Sequence, residues 1–230
     1  MSAPRPDSLP VVVAIDGPAG AGKSTVARRL AAALGFAYMD TGAMYRAVTY
    51  EALRRGVALD QPGPLAALVC SLPLVLGRDG RVSIGGEDVS GAIRTDTVNA
   101  GVSVVAAVPE VRQVMVEHQR RFAQQQGRIV AEGRDIGSVV FPDAAAKLYL
   151  DADPAERARR RQAEAGGGKD LAEVQAGLER RDRLDSTRAT APLVVAPGAL
   201  RLDTTHLSLE QVVAAALAQV RSALSPASGG

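Results

Sequence analysis

A chain of 230 residues with a formal net charge of +2 is long enough for one well-buried α/β domain with one or two small appendages. This charge balance argues against generic binding to a nucleic-acid backbone, which requires a denser basic surface. Aromatic residues make up only 3% of the chain and Trp is absent. The core must therefore be built from Val, Leu, Ile and Ala, as in parallel sheets covered by helices.

We expect neither a signal peptide nor a membrane span in this sequence. The polar, Pro-rich N-terminus lacks the apolar stretch of a signal peptide, and no segment has the roughly 20 apolar residues that a membrane span requires. The single cysteine, Cys70, excludes an intramolecular disulfide and lies in the apolar run LAALVCSLPLVL, where we expect it to be buried. We therefore expect a cytoplasmic protein without membrane contact, whose last residues, SPASGG, form a frayed tail.

The first part of the chain predicts a strand, a loop and a helix. Residues 11–15, VVVAI, are typical of a buried parallel strand, and they end at Asp16 and a Gly-rich turn. Residues 23–34 have the apolar spacing of a helix. A second short strand is predicted over 36–39, and a second helix over 42–55.

Residues 57–100 differ in character, because short apolar runs (LPLVL, RVSIG) alternate with RDG and GGED turns. These hairpin signals predict a small antiparallel insertion rather than helix–strand units. The remaining elements are helix 109–126, strands 128–132 and 146–150, a charged helical region over 154–186 broken by AGGGKD, strand 199–203 and helix 208–224. Strands that alternate with helices predict an α/β fold, a three-layer sandwich with a mostly parallel five-stranded sheet.

A Gly-rich segment after the first strand matches G-x-x-x-x-G-K-[ST]; its residues are Gly17, Pro18, Ala19, Gly20, Ala21, Gly22, Lys23 and Ser24. Glycines let the backbone N–H groups face a phosphate, and the helix that follows adds unpaired N–H groups and the positive end of its dipole. Lys23 can reach the β- and γ-phosphates, and the Ser24 hydroxyl can ligate Mg²⁺. The flanking strand and helix argue against a chance turn, but the loop alone indicates only a nucleoside triphosphate.

Motifs of other P-loop proteins are missing from suitable positions. A GTPase of this type would carry N-K-x-D and D-x-x-G motifs, and neither is found in a suitable place. An ATPase motor would be larger and would carry a strand ending in hhhhDE. The segment RIVAEGRD supplies acids after a strand, but it continues into an Arg-rich loop. These absences favour a small-molecule kinase.

Six segments resemble the bacterial cytidylate kinases over nearly the whole chain after the first ten residues. They are IDGPAGAGKST (15–25), MDTGAMYRAV (39–48), GEDVSGAIRTDTV (86–98), VSVVAAVPEVR (102–112), AEGRDIGSVVFPDA (131–144) and RRDRLDSTRATAPL (180–193). The IRT segment and the insertion are the most specific marks. The resemblance implies a P-loop NTPase fold and transfer of the γ-phosphoryl group of ATP-Mg²⁺ to CMP or dCMP by a monomer. It also implies an ATP site that comprises all residues from Gly17 to Thr25.

The resemblance also implies three structural parts. They are a core domain, a domain for the nucleoside monophosphate that is enlarged by the insertion, and a helical lid. The core would comprise residues 10–40, 101–152 and 190–225, the monophosphate domain 41–100 and the lid 153–189.

On the acceptor side, the resemblance implies that Thr41 contacts the monophosphate site and that Arg46, Arg134 and Arg188 bind phosphate. Arginine suits this role because its planar fork can hold two phosphate oxygens. Asp185 would accept hydrogen bonds from the ribose hydroxyls. Taken alone, Arg46 is better explained as a solvated helix charge, and Asp185 is structural if it merely pairs with a neighbouring arginine.

Base recognition is implied for three further residues. Asp135 resembles the acid that accepts a hydrogen bond from the cytosine amino group, and it would meet a carbonyl unfavourably in uracil. Arg112 and Ser103 match positions that donate to the cytosine acceptors. A helix-surface charge at Arg112 and an ordinary polar position at Ser103 are open alternatives.

The arginines at 157 and 159–161 cannot all face one ligand, because helix neighbours are about 100° apart. Arg157, Arg160 and Arg161 can share a face, or they can form a solvated face paired with nearby acids. We expect at least one of these arginines to touch the transferring phosphate. The predicted catalytic set is Lys23, Arg134, Arg157 and Arg188. Nearby, Leu184 stands where the family often has Arg.

Two other functions stay open at this point. One is another small-molecule P-loop kinase, of a UMP/CMP, shikimate or gluconate type, although the insertion and the IRT segment speak against it. The other is a non-catalytic regulator that binds ATP without consuming it.

Overall fold

The computed structural model describes residues 9–164, 166–168 and 170–225, so most of the predicted SPASGG tail and parts of the AGGGKD break lie outside the described residues. Within these ranges, the strands and α-helices in chain order are β1 (Val11–Asp16), α1 (Lys23–Leu34), β2 (Ala37–Asp40), α2 (Thr41–Arg54), α3 (Pro62–Ser71), β3 (Leu74–Leu76), β4 (Val82–Ile84), β5 (Glu87–Asp88), α4 (Asp96–Ala107), α5 (Pro109–Gln126), β6 (Arg128–Glu132), β7 (Ala146–Asp151), α6 (Pro154–Glu164), α7 (Leu171–Thr187), β8 (Leu200–Asp203) and α8 (Leu209–Leu224).

The main sheet has five parallel strands in the order β2-β6-β1-β7-β8. Alternate residues of the central strand β1 point to opposite faces of the sheet. Val13 and Ile15 pack with Leu30 of α1 in one buried cluster, which also includes residues of α8. Val12 and Ala14 belong to a second cluster with residues of α2 and α5. Helices therefore cover both faces, which confirms the predicted three-layer α/β sandwich.

The predicted antiparallel insertion is present as the sheet β3-β4-β5, but it begins with a helix that the hairpin pattern did not indicate. Helix α3 has Pro in its first turn, where a backbone N–H would be unpaired anyway. It buries Leu65, Leu68 and Val69 at the spacing of one helical face. Cys70 lies outside this face and is exposed, so the prediction that it is buried was wrong.

Three more helices complete the surroundings of the phosphate loop. Helix α4 was not predicted, and it begins where the Thr95 side chain accepts a hydrogen bond from the Val98 amide at 3.4 Å. Helices α6 and α7 occupy the segment predicted as a helical lid, and the Asp170 side chain caps α7. Among the described residues, none of the helices combines the length and apolarity needed to cross a bilayer.

Candidate active site

The phosphate loop, residues 17–24, connects the central strand β1 to helix α1. Gly17 has a φ of +145°, and a Cβ there would lie 2.0 Å from the carbonyl oxygen of Leu150 in the neighbouring strand, so only glycine fits. Gly22 precedes α1, whose first amides have no acceptor within the helix. The loop therefore ends in a helix N-terminus of the kind that binds phosphate.

Lys23 is folded back onto this loop. Its Nζ donates a hydrogen bond to the Pro18 carbonyl oxygen at 2.6 Å, and the residue is only 6% exposed. Burial, reinforced by the nearby charge of Arg134, lowers the pKa of the Lys23 amine. An anion in the loop would favour the charged form of this amine, which is the behaviour expected of a phosphate-binding lysine.

Glu132, at the end of β6, lies beside the same loop and was not among the predicted site residues. Its carboxylate accepts a hydrogen bond from the Tyr38 hydroxyl, and the Ser24 side chain nearby favours its charged form. Burial raises the pKa of the Glu132 carboxyl, and the neighbouring Asp40 adds to the shift. The signal for Glu132 was present in the sequence, because the acid directly ends a predicted strand in RIVAEGRD.

The Ser24 hydroxyl and the Glu132 carboxylate form an oxygen-only donor pair, which is the ligand type that Mg²⁺ prefers. No group of three or more His, Cys, Asp or Glu side chains in the described part of the chain has the arrangement of a metal site. The donors at the loop nevertheless fit a Mg²⁺ ion that is held mostly by phosphate oxygens.

A cleft of about 580 Å³ opens in front of the loop, between α2, α4, the segment after β6, and helices α6 and α7. The predicted ATP-site residues that line it are Ala19, Gly20, Gly22, Lys23, Ser24 and Thr25, whereas Gly17, Pro18 and Ala21 do not. All predicted acceptor residues line the cleft: Thr41, Arg46, Ser103, Arg112, Arg134, Asp135, Asp185 and Arg188.

Arginines gather around Asp40, next to the start of α2. Asp40 pairs with Arg46 at 3.2 Å and with Arg94 at 3.3 Å. Burial would raise the pKa of Asp40, but these two guanidinium groups hold it below its usual value. The hydroxyl of Thr41 donates to the Glu132 carbonyl oxygen at 2.7 Å. Arg94 belongs to the IRT segment, and no role was predicted for it.

Asp135 is held between two guanidinium groups. Arg112 pairs with one carboxylate oxygen and Arg188 with the other, the latter at 3.3 Å. Asp135 is 5% exposed, and burial raises the pKa of its carboxyl although both arginines oppose the shift. The Arg112 guanidinium also lies over the Tyr45 ring, 5.5 Å from its centroid. The cleft thus contains a buried, oriented carboxylate that can accept a hydrogen bond.

Asp185 of α7 accepts hydrogen bonds from Arg134 Nε at 2.9 Å and from the Ser103 hydroxyl at 3.0 Å. Arg181, one helical turn earlier, also lines the cleft but was not predicted. Its Nε is buried without a hydrogen-bond partner among the described residues. Burial, together with the charge of Arg134, lowers the pKa of Arg181 to about 10. The i, i+4 spacing from Asp185 is the sequence signal that points to it.

Arg157, predicted to be catalytic, does not line the cleft. It pairs with Asp182 and donates to the carbonyl oxygens of Ala19 and Ala152, at 3.0 and 3.1 Å. Its guanidinium therefore contacts the backbone of the phosphate loop and not the cleft. Arg161 lines the cleft instead, because it lies four residues, or about 6 Å, further along the axis of the same helix.

A phosphate loop after the central strand of a parallel sheet, opposite a cleft lined by arginines, is typical of small P-loop kinases. The chain has this arrangement and is a kinase of this class. A family model described as cytidylate kinase matches residues 13–222. The chain belongs to the cytidylate kinase family, and the resemblance drawn from its motifs is confirmed.

Individual relatives agree with this assignment. The chain is 51% identical over 213 residues to a cytidylate kinase of Nocardia farcinica, with 90% of this chain and 92% of the relative covered. It is 50% identical over 217 residues to a cytidylate kinase of Solibacter usitatus, with coverages of 92% and 93%. A solved gluconokinase from Sinorhizobium meliloti shares the fold, with a TM-score of 0.50 at 14% identity and 93% of each chain covered.

Proposed function

We propose that this protein transfers the γ-phosphoryl group of ATP to CMP or dCMP, forming ADP and CDP or dCDP. One observation carries the proposal: the buried carboxylate of Asp135 lines the same cleft as the phosphate loop. This carboxylate accepts a hydrogen bond from the cytosine amino group, while Arg112 and Ser103 donate to the acceptors O2 and N3. Uracil presents a carbonyl in place of the amino group and is disfavoured.

ATP binds with its phosphates in the loop. The amides at the start of α1 and the Lys23 amine face the triphosphate. The Ser24 hydroxyl, with Glu132 beside it, would hold the Mg²⁺ ion that accompanies ATP. When bound, this ion neutralises charge on the β- and γ-phosphates.

The acceptor nucleotide occupies the arginine-rich remainder of the cleft. Arg46, Arg134 and Arg188 bind its phosphate, and Arg181 adds a donor from α7. The unpartnered Nε atoms of Arg46 and Arg181 support this role, because a buried N–H without an acceptor is costly until a ligand supplies one. Asp185 accepts from the ribose hydroxyls. To bind CMP, Arg134, Arg188 and Ser103 exchange carboxylate partners for substrate groups.

Phosphoryl transfer then proceeds in line to an oxygen of the CMP phosphate. No strong general base is required, because this phosphate is already ionised at neutral pH. Lys23 and the arginines neutralise charge that spreads over the transferred group. Closure of the lid excludes water, which would otherwise accept the phosphoryl group. Arg161 is the arginine of α6 that is placed for contact with this group.

The proposal includes the predicted division into parts, with the lid at 153–189 closing over the core and over the monophosphate domain at 41–100. One chain supplies both the phosphate loop and the acceptor residues, which supports a monomeric enzyme. A cytoplasmic location suits an enzyme that consumes ATP and CMP.

An ADP-release assay over CMP, dCMP, UMP, AMP, shikimate and gluconate tests the proposal. We expect ATP-Mg²⁺ to be consumed rapidly with CMP and dCMP, more slowly with UMP, and negligibly with the others. Removal of Mg²⁺ by a chelator should stop the reaction. Folded protein that binds ATP but releases no ADP with any acceptor would be a regulator instead, and preference for shikimate or gluconate would indicate another kinase.

A further inference from the structure

One residue of the phosphate loop, Ala19, is held from behind by the lid through both of its backbone polar groups. The Ala19 amide donates to Asp182 Oδ1 at 3.0 Å, and the Ala19 carbonyl oxygen accepts from Arg157 Nη1 at 3.0 Å. The second carboxylate oxygen of Asp182 pairs with Arg157. Both polar groups of Ala19 are therefore satisfied by one ion pair, which bridges α6 and α7.

This ion pair is largely withdrawn from solvent. The Arg157 and Asp182 side chains are 8% and 17% exposed, and Arg157 Nε donates to Ala152 at 3.1 Å. The loop also approaches α6 at backbone distance, because a Cβ on Gly20 would lie 3.0 Å from the Arg157 carbonyl oxygen. Buried charge pairs fix geometry strongly, since removal of one partner leaves the other without compensation.

Apolar contacts reinforce the same junction. The Ala19 side chain packs in a small buried cluster with Ala158 of α6 and Leu178 of α7. Both lid helices therefore contact the loop at this alanine. Movement of the lid relative to the core must then strain or break the hydrogen bonds and apolar contacts of Ala19.

Helix α7 carries acceptor-site residues on either side of Asp182 in the sequence. Arg181 and Asp185 line the cleft, while Asp182 faces the back of the phosphate loop. A helix is a rigid element, so a shift that seats Arg181 and Asp185 on a nucleotide also moves Asp182 relative to Ala19. The donor site and the acceptor site thus share one mechanical element.

We propose that Asp182, together with Arg157, is a positioning pair that holds the phosphate loop in register with the acceptor-binding face of α7, so that ATP and CMP bind cooperatively. The inference rests on the proposed kinase function. Linkage requires the effect to be reciprocal: whatever factor CMP gives to ATP affinity, ATP gives to CMP affinity. Neither Asp182 nor Arg157 needs to touch a substrate for this role.

Calorimetric titration of the full chain tests the pair. The probe is a non-hydrolysable ATP analogue with Mg²⁺, titrated with and without saturating CMP. For wild type we expect CMP to tighten analogue binding by roughly fivefold or more, the usual lower range for such coupling. In Asp182→Asn and Arg157→Met this factor should fall towards one. The double variant should lose no more than either single variant, because the pair acts as one unit.

Asp170→Ala is the matched control, because it removes a carboxylate that caps the same helix without contact to the loop. It should lower stability in thermal unfolding yet keep the wild-type coupling factor. The inference is overturned by wild type with no coupling, by folded Asp182→Asn with full coupling, or by equal loss in Asp170→Ala. Failure of the proposed function is a separate result, namely wild type that makes no CDP from CMP.

Discussion

Arg134 Nε donates to Asp185 Oδ2 across 2.9 Å, and this hydrogen bond joins the segment after β6 to helix α7. The two side chains are only 18% and 6% exposed. In the proposed function, Arg134 binds the CMP phosphate and Asp185 the ribose. Their mutual bond therefore holds two acceptor-binding groups in place in the unliganded protein, and the nucleotide must compete with it.

The phosphate loop can be tested through its lysine. Lys23→Ala should lower kcat roughly 100-fold or more, because a buried positive charge that faces the transferring group is lost. Circular dichroism should show an unchanged fold. Near-normal turnover by the folded variant would remove Lys23 from the mechanism.

Base selection should depend on the carboxylate at 135. Asp135→Asn replaces an acceptor that suits the cytosine amino group with an amide that can donate to the uracil carbonyl. We expect the ratio of kcat/KM for CMP to that for UMP to fall by about tenfold or more. A factor of this size corresponds to the free energy of one hydrogen bond to a charged group. An unchanged ratio would place base recognition elsewhere in the cleft.

Sugar discrimination should depend on Asp185. If its carboxylate holds the 2′-hydroxyl, Asp185→Ala should lower kcat/KM for CMP more than for dCMP, because dCMP lacks that group. Equal losses on CMP and dCMP would contradict a role specific to the 2′-hydroxyl.

Arg181 offers a test of a residue that sequence motifs did not single out. Arg181→Met keeps the apolar stem and removes the unpartnered guanidinium, so KM for CMP should rise about tenfold while KM for ATP changes little. Arg180→Met, at an exposed position outside the cleft, is the control. A similar KM for CMP in both variants would show that Arg181 does not bind the acceptor.

Asp16 should make stability depend on pH. Its carboxylate accepts hydrogen bonds from the Ile136 and Gly137 amides, each at 2.8 Å, just after Asp135. Burial raises the pKa of Asp16 from 3.8 to about 6, although these two hydrogen bonds oppose the shift. Because the folded-state pKa is the higher one, this contribution to stability is fully present below pH 3.8 and is lost as pH rises through about 6.

Urea unfolding of wild type and Asp16→Asn at several pH values measures this contribution. The free energy of unfolding of wild type should decline relative to that of the variant as pH rises through this range. Parallel curves for the two proteins would show that Asp16 does not titrate with a raised pKa.

Much of the fold could be predicted because its signals are local. The β-branched run of β1, the phosphate loop and the helix after it are contiguous, so spacing alone indicates their geometry. The apolar run around Cys70 led to the wrong prediction that this residue is buried, because the run contains the end of a helix and the start of a strand. Its periodicity as a whole is neither 3.6 nor 2, and α3 leaves Cys70 outside its buried face.

The sequence by itself determined the chemistry of this protein: a phosphate loop, a supply of arginines, and a family motif that places a carboxylate in EGRD. Only the tertiary structure decided which charges face the cleft. Arg161 and Arg181 line it, whereas Arg157 and Asp182 hold the back of the loop. The reason is that the distance between side chains on separate helices is set by how those helices pack. Spacing along the chain does not predict this distance.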